Sequence, residues 1–224
     1  MYEEILQAID HTALKADTTW LDIQRLCDEA INHRTASVCI PPSYVQRAAD
    51  YVQGRMPICT VIGFPHGYQT TAVKVQEARE ALQSGAEEID MVINIGDVKN
   101  GDWERVRQEL AALRDVCRDK VLKVIIETCC LSTKEKIAMC QLITETGADF
   151  IKTSTGFGSA GAAMADILLF KAHIGPQVQI KAAGGIKTIE QAQAYLAQGV
   201  SRLGSSSLVS LIDQLEAQDS SSKG

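Results

Sequence analysis

The stretch "FIKTSTGFG" (150–158) sets Lys152 inside what otherwise reads as a buried strand, and "IKAAGG" (180–185) does the same with Lys181. Lysine is almost never fully buried unless it is paired. A lysine attacks a carbonyl only as the neutral amine, and free lysine, with a pKa of about 10.4, is protonated near neutrality. Desolvation or a second ammonium nearby favours the neutral form. Lys181, on the next strand, is placed to act in this way on Lys152. Two further stretches add charges to strands. "EIDMVIN" (88–94) carries Asp90, and "VLKVIIE" (121–127) carries Lys123 and Glu127 at positions of the same parity. If these side chains share an interior, two carboxylates, Asp90 and Glu127, face three amines, Lys123, Lys152 and Lys181. A carboxylate such as Asp90 can move protons through water. An amine, a like-charged neighbour and an acid read as Schiff-base chemistry on a carbonyl compound.

Such a set needs strands that converge on one interior. Short β-type runs at 9–12, 36–40, 57–63, 88–94, 121–127, 149–154, 178–183 and 200–204 alternate with helical patterns. The helical patterns fall at about 18–33, 42–53, 69–84, 102–118, 132–146, 161–173, 188–198 and 206–217. Thr18 and Ser132 are the expected N-caps, the second in a capping box with Glu135. Gly85, Gly147 and Gly199 follow helices where a left-handed residue ends them. Strand–helix alternation implies a parallel sheet. Eight βα units in one chain imply a single closed (β/α)8 TIM barrel, here with a short N-terminal helix, spanning residues 1–217. An open, doubly wound sheet is the alternative. The polar tail, 218–224, is expected to be disordered. Parallel strands are covered by helices outside, so a set of strand charges is best placed within the barrel. Asp10 and Thr12 share parity on the first strand and join this interior face.

Glycine-rich turns close three of the units. "AAGGIKT" (182–188) and "RLGSSSLV" (202–209) end strands seven and eight, where barrel enzymes hold phosphates on helix N-termini. "GFGSAG" (156–161) matches Gly-x-Gly-x-x-Gly but belongs to the sixth unit. Residues 174–184 hold no acidic residue, so the pattern fits a loop over a ligand and not a dinucleotide fingerprint.

Other classes find little support. The net charge is −6 with no basic block, against nucleic acid as partner. The acidic start "MYEEILQAID" is unlike a signal peptide, and no run reaches 18 apolar residues, against a membrane span. Seven cysteines without a Cys-x-x-Cys fit reduced thiols in a reducing cytoplasm. His11, His33, His66 and His173 form no i,i+4 pair, and Cys129 and Cys130 alternate across a strand end, so no metal site is expected. No G-x-S-x-G elbow is present.

"EIDMVINIG", "KVIIETC", "FIKTSTGF", "IKAAGGI" and "RLGSSS" together resemble the class I deoxyribose-phosphate aldolase family, and the likeness runs from "DHTALK" (10–15) to about residue 212. The resemblance implies a (β/α)8 barrel. It also implies reversible cleavage of 2-deoxy-D-ribose 5-phosphate to D-glyceraldehyde 3-phosphate and acetaldehyde, with no cofactor. It makes Lys152 the Schiff-base nucleophile, Lys181 the second amine that perturbs it and joins proton transfer, Asp90 the proton donor and acceptor, and Lys123 a support of their charge network. Thr155, Gly156, Gly184, Gly185, Gly204, Ser206 and Ser207 match substrate and phosphate positions. Asp10, Thr12 and Cys39 match the site wall. The implied partners are a phosphorylated sugar and aldehydes, with a homodimer left open as the assembly. The chain departs from many relatives at Ala16, where they have proline, at Phe157, where some carry lysine, and at its end, which lacks a terminal tyrosine. A metal-dependent aldolase, a barrel isomerase and a non-catalytic sugar-phosphate binder are the rivals. None of them needs Lys152 as a covalent partner.

Overall fold

Eight short strands pair in sequence order, all parallel, and the last closes on the first. They are β1 (Ile9–Thr12), β2 (Ser37–Ile40), β3 (Ile58–Ile62), β4 (Glu88–Val92), β5 (Val121–Ile125), β6 (Phe150–Lys152), β7 (Gln179–Ala183) and β8 (Arg202–Ser205). The structure, a computed structural model, describes residues 2–221. Helix α1 (Glu3–Ala8) precedes β1. Around the barrel follow α2 (Trp20–His33), α3 (Val45–Val52), α4 (Thr71–Gln83), α5 (Ile95–Asn100), α6 (Trp103–Val116), α7 (Thr133–Thr146), α8 (Met164–His173), α9 (Ile189–Ala197) and α10 (Leu208–Ser221). The expected closed barrel with its short N-terminal helix is therefore present, and the open sheet is excluded.

Alternation along the strands separates two environments. Ile9, Val38, Ile89, Met91, Leu122, Val124, Ile151, Ile180, Ala182 and Leu203 belong to the apolar core between strands and helices. The alternate positions carry Asp10, Glu88, Asp90, Lys123, Lys152 and Lys181, all buried. Register lines these up: Asp90 pairs with Lys123, Lys152 with Lys181, and Lys181 with Arg202.

Local details differ from expectation where a polar side chain captures the backbone. Thr19, not Thr18, caps α2, because its side chain accepts from Asp22 N while the Asp22 carboxylate accepts from Thr19 N. Ser132 and Glu135 form the expected capping box on α7. The fourth strand stops at Val92 because Asn94 caps the additional helix α5. The fifth stops at Ile125, and Glu127 adopts φ +49° ahead of a single 3-10 turn (Thr128–Cys130). α10 runs to Ser221, so residues 218–221 extend a helix where disorder was expected; its last turns are built largely of good helix formers and small polar residues. Residues 222–224 of the expected tail lie outside the described residues.

Candidate active site

Asp90 is the centre of the barrel's polar interior. Its Oδ2 accepts from Lys152 Nζ at 2.7 Å and from Lys181 Nζ at 2.7 Å. Its Oδ1 accepts from Lys123 Nζ at 2.9 Å and from Cys59 Sγ at 3.1 Å. Lys152 and Lys181 thus share one oxygen, and their nitrogens are no further apart than twice 2.7 Å. Lys123 also pairs with Glu88 at 2.5 Å and lies 3.7 Å from Asp10. Asp10 pairs with Lys181 and Arg202 and accepts from Ser37 Oγ at 2.8 Å. Arg202 reaches Glu88 as well, at 2.6 Å.

This cluster holds three carboxylates, Asp10, Glu88 and Asp90, against four cations, Lys123, Lys152, Lys181 and Arg202. The cations differ in how many carboxylates they meet. Lys123 touches three, Lys181 and Arg202 touch two each, and Lys152 touches Asp90 alone. Burial disfavours charge on Lys181, but Asp10 and Asp90 outweigh it and hold the amine above the usual lysine range. Lys123 is held well above that range, burial again opposing and Asp90 the largest of the charges that prevail. Burial would raise the carboxyls of Asp90 and Asp10, yet the surrounding lysines keep both ionised, Asp90 well below the ordinary carboxylate value. Asp90 is consequently ionised at rest.

Glu127 is not part of this cluster, contrary to the expectation that it would face the lysines. The turn after β5 breaks the alternation that parity assumed. Its Oε2 instead holds Thr155, through Thr155 N at 3.3 Å and through the Thr155 hydroxyl. Thr155 Oγ1 in turn accepts from Phe157 N at 3.0 Å. Glu127 therefore shapes the start of the loop that carries Gly156.

That loop folds back onto the turn after β7. Ala162 N donates to the carbonyls of Ala183 (3.0 Å) and Gly184 (3.1 Å). A Cβ on Gly161 would stand 2.1 Å from Gly184 O, so only glycine permits the approach. Gly184 and Gly185 have φ of +87° and +78°, and β7 pairs with β8 through Ala183 and Gly204. The turns bearing Gly184–Gly185 and Ser206–Ser207 are thus neighbours. Ser207 N donates to Ser205 Oγ at 3.2 Å, while Ser206 and Ser207 are exposed. Gly204 lies within β8, where a Cβ would come 2.8 Å from Ala183 Cβ and 3.5 Å from Lys181 Cε; its lack of a side chain makes room beside Lys181. Thr12 and Cys39 stand side by side across β1 and β2, and Thr12 Oγ1 donates to its own strand at Asp10 O, 2.7 Å away.

Glu88, Arg202, Ser37 and Cys59 were not singled out from the sequence. Glu88 shares parity with Asp90 in "EIDMV", and Arg202 shares parity with Gly204, so alternation alone could have found them. Cys39, Cys59 and Asp90 bring donor atoms within 4.8 Å of one another, as do Asp10, Cys59 and Glu88, two groupings that linear spacing did not suggest. Ammonium groups already occupy these carboxylates, and a divalent cation there would meet their repulsion.

Residues 4–206 match the family model described as DeoC/LacD family aldolase. The chain belongs to the DeoC/LacD family of aldolases. Relatives in the family support this over nearly their full lengths. The deoxyribose-phosphate aldolase of Clostridioides difficile is 54% identical over 217 residues, 97% of this chain and 99% of that protein. That of Streptococcus pyogenes is 51% identical over 210 residues, 94% of each chain. The solved deoxyribose phosphate aldolase from Aeropyrum pernix, described as a tetramer, superposes with a TM-score of 0.89 at 26% identity, covering 97% of this chain and 93% of the other.

Proposed function

We propose that this aldolase cleaves 2-deoxy-D-ribose 5-phosphate to D-glyceraldehyde 3-phosphate and acetaldehyde, reversibly, through a Schiff base on Lys152. The observation that carries the reading is the shared Asp90 oxygen. It joins the lysine with the fewest carboxylate contacts to a second lysine that Asp10 and Asp90 keep charged. Lys152 gives up a proton and the cluster becomes neutral overall. Its free amine adds to the C1 aldehyde of the open-chain sugar, and the carbinolamine loses water to give an iminium. Asp90, ionised at rest, accepts the proton from the C3 hydroxyl through water as the C2–C3 bond breaks. The bonding pair moves into an enamine on C1 and C2, and glyceraldehyde 3-phosphate leaves. Lys181 supplies the proton that returns to C2. Hydrolysis of the imine then frees acetaldehyde and the amine. Lys123, fixed by Glu88, Asp90 and Asp10, holds the Asp90 carboxylate in place.

The phosphate reading rests on the neighbouring turns at Gly184–Gly185 and Ser206–Ser207, with Thr155 and Gly156 on the loop that meets them. Phe157 stands where a cation would otherwise assist, so backbone N–H groups and hydroxyls bear the phosphate. The seven cysteines are free, in keeping with a reducing cytoplasm. No helix among the described residues is long and apolar enough to cross a membrane.

The test compares substrates. Ser206→Glu places a carboxylate where the phosphate is proposed to sit. It should raise KM for deoxyribose 5-phosphate at least about tenfold, the size of a 1.4 kcal/mol repulsion, and change cleavage of unphosphorylated deoxyribose much less. Equal losses on both substrates would remove the phosphate from these turns.

A further inference from the structure

Cys129 and Cys130 do not alternate across a strand end as expected, because they lie in the 3-10 turn after β5, and their sulfurs are 4.0 Å apart. Cys130 is exposed and Cys129 half-buried, whereas the other five cysteines are buried. Burial pushes the thiols of Cys27 and Cys117 up to about 11 and that of Cys140 up to about 12, so these three stay protonated and enclosed.

The pair rests against the group that shapes the loop after β6. Cys129 Sγ lies 3.8 Å from Glu127 Oε1, while the other oxygen of Glu127 holds Thr155. A Cβ on Gly158 would fall 2.9 Å from Cys129 Sγ and 3.1 Å from the Glu127 carboxylate carbon. A methyl group on Gly158 would force this sulfur, the Glu127 carboxylate or the loop to shift. The loop after β6 therefore meets Cys129 at Gly158, and Cys129 is linked to Thr155 through the Glu127 carboxylate.

We propose that Cys129 and Cys130 form a binding site for trivalent arsenic compounds, and that filling it slows the aldolase by displacing the loop at 155–158. An arsenoxide, R–As=O, supplies the reaction without an oxidant. Two S–H bonds and the As=O bond are lost, two As–S bonds form, and the oxygen leaves as water with both thiol protons; arsenic remains trivalent. Two sulfurs on neighbouring residues chelate one arsenic atom, where a single thiol would form one exchangeable bond. Cys130, being exposed, can rotate to close the remaining gap. The bridging arsenic then sits on the sulfur that already approaches Gly158 closely, and the loop must shift to admit it.

The full-length protein is titrated with phenylarsine oxide, read by intact mass and by the aldolase rate. One equivalent should add the mass of the reagent less one water. The rate should fall about ten- to a hundredfold, the size expected when a positioning group is misplaced by about 1 Å. Dithiothreitol should restore it and an equal concentration of monothiol should not. Cys130→Ser, at an exposed position outside the aldolase cluster, should keep the basal rate and neither bind the reagent tightly nor lose rate to it; Cys130→Ala should behave alike. The mass readout is independent of the aldol chemistry. A Cys130→Ser protein that still binds one equivalent and loses the same rate would overturn the proposal, placing the reagent elsewhere, with Cys39 and Cys59 the other neighbouring thiols. An adduct mapped to Cys129 and Cys130 that leaves the rate unchanged would overturn the coupling to the loop.

Discussion

Replacing Lys181 with leucine tests how the cluster releases a proton from Lys152. With Lys181 present, four cations face three carboxylates, and neutralising Lys152 removes the excess. Without it, the remaining three cations match the carboxylates, and Asp90 Oδ2 loses the other ammonium it held at 2.7 Å. Both effects now favour the charged form of Lys152. Two unit charges about 5 Å apart interact by about 3 kcal/mol at an effective dielectric of about 20. At 1.36 kcal/mol for each factor of ten, this moves the acidic limb of the pH–rate profile upward by about two units. Lys181→Arg keeps the charge while changing the proton donor, so its limb should stay near the wild-type position as the rate falls. Single-turnover cleavage of deoxyribose 5-phosphate from about pH 5 to about pH 10 reads both quantities. A Lys181→Leu limb that coincides with wild type would refute the charge-balance argument and leave desolvation within the barrel as the cause.

Two further outcomes follow from the buried charges. The carboxyls of Asp10 and Asp90 are lower in the folded protein than in the unfolded chain, so the stability they contribute is complete above about pH 5 and is lost as pH falls through about 4 and below. Urea midpoints should drop across that window, and Asp10→Asn should flatten the drop; an unchanged slope would contradict it. Away from the site, buried Lys74 donates to Val92 O at 2.8 Å and to Glu109 Oε1 at 2.7 Å, and Glu109 accepts from Asn94 N at 3.2 Å, joining α4 and α6 to the end of β4. Lys74→Met strands the Glu109 carboxylate and should cost about 3–5 kcal/mol in denaturant unfolding, with Lys74→Met/Glu109→Leu recovering most of it; equal losses in both proteins would argue against an uncompensated charge.

The barrel and the lysine pair were legible because both depend on period. Strand alternation brought Asp90, Lys123, Lys152 and Lys181 to one face, and eight repeats of strand and helix closed the sheet. What the sequence concealed depends on contacts between distant strands or on a break in the period. Asp10 read as a wall residue, yet it pairs with Lys181 and Arg202, 171 and 192 positions along the chain. Glu127 read as a fifth interior charge, yet the left-handed backbone at that residue turns its carboxylate to Thr155. Thr18 read as the cap of α2, yet Asp22 closes the box on Thr19. The glycines announced a crowded rim, but only the fold showed that Gly161 lies against Gly184 and that Gly204 makes space for Lys181.

Reductive trapping tests the central claim most directly. The protein is treated with acetaldehyde and borohydride, digested, and its peptides mapped by mass. One ethyl group should appear on Lys152, and Lys152→Ala should abolish both the label and cleavage of deoxyribose 5-phosphate. An ethyl group found on Lys181 alone, with Lys152→Ala still labelled, would contradict the assignment of the nucleophile.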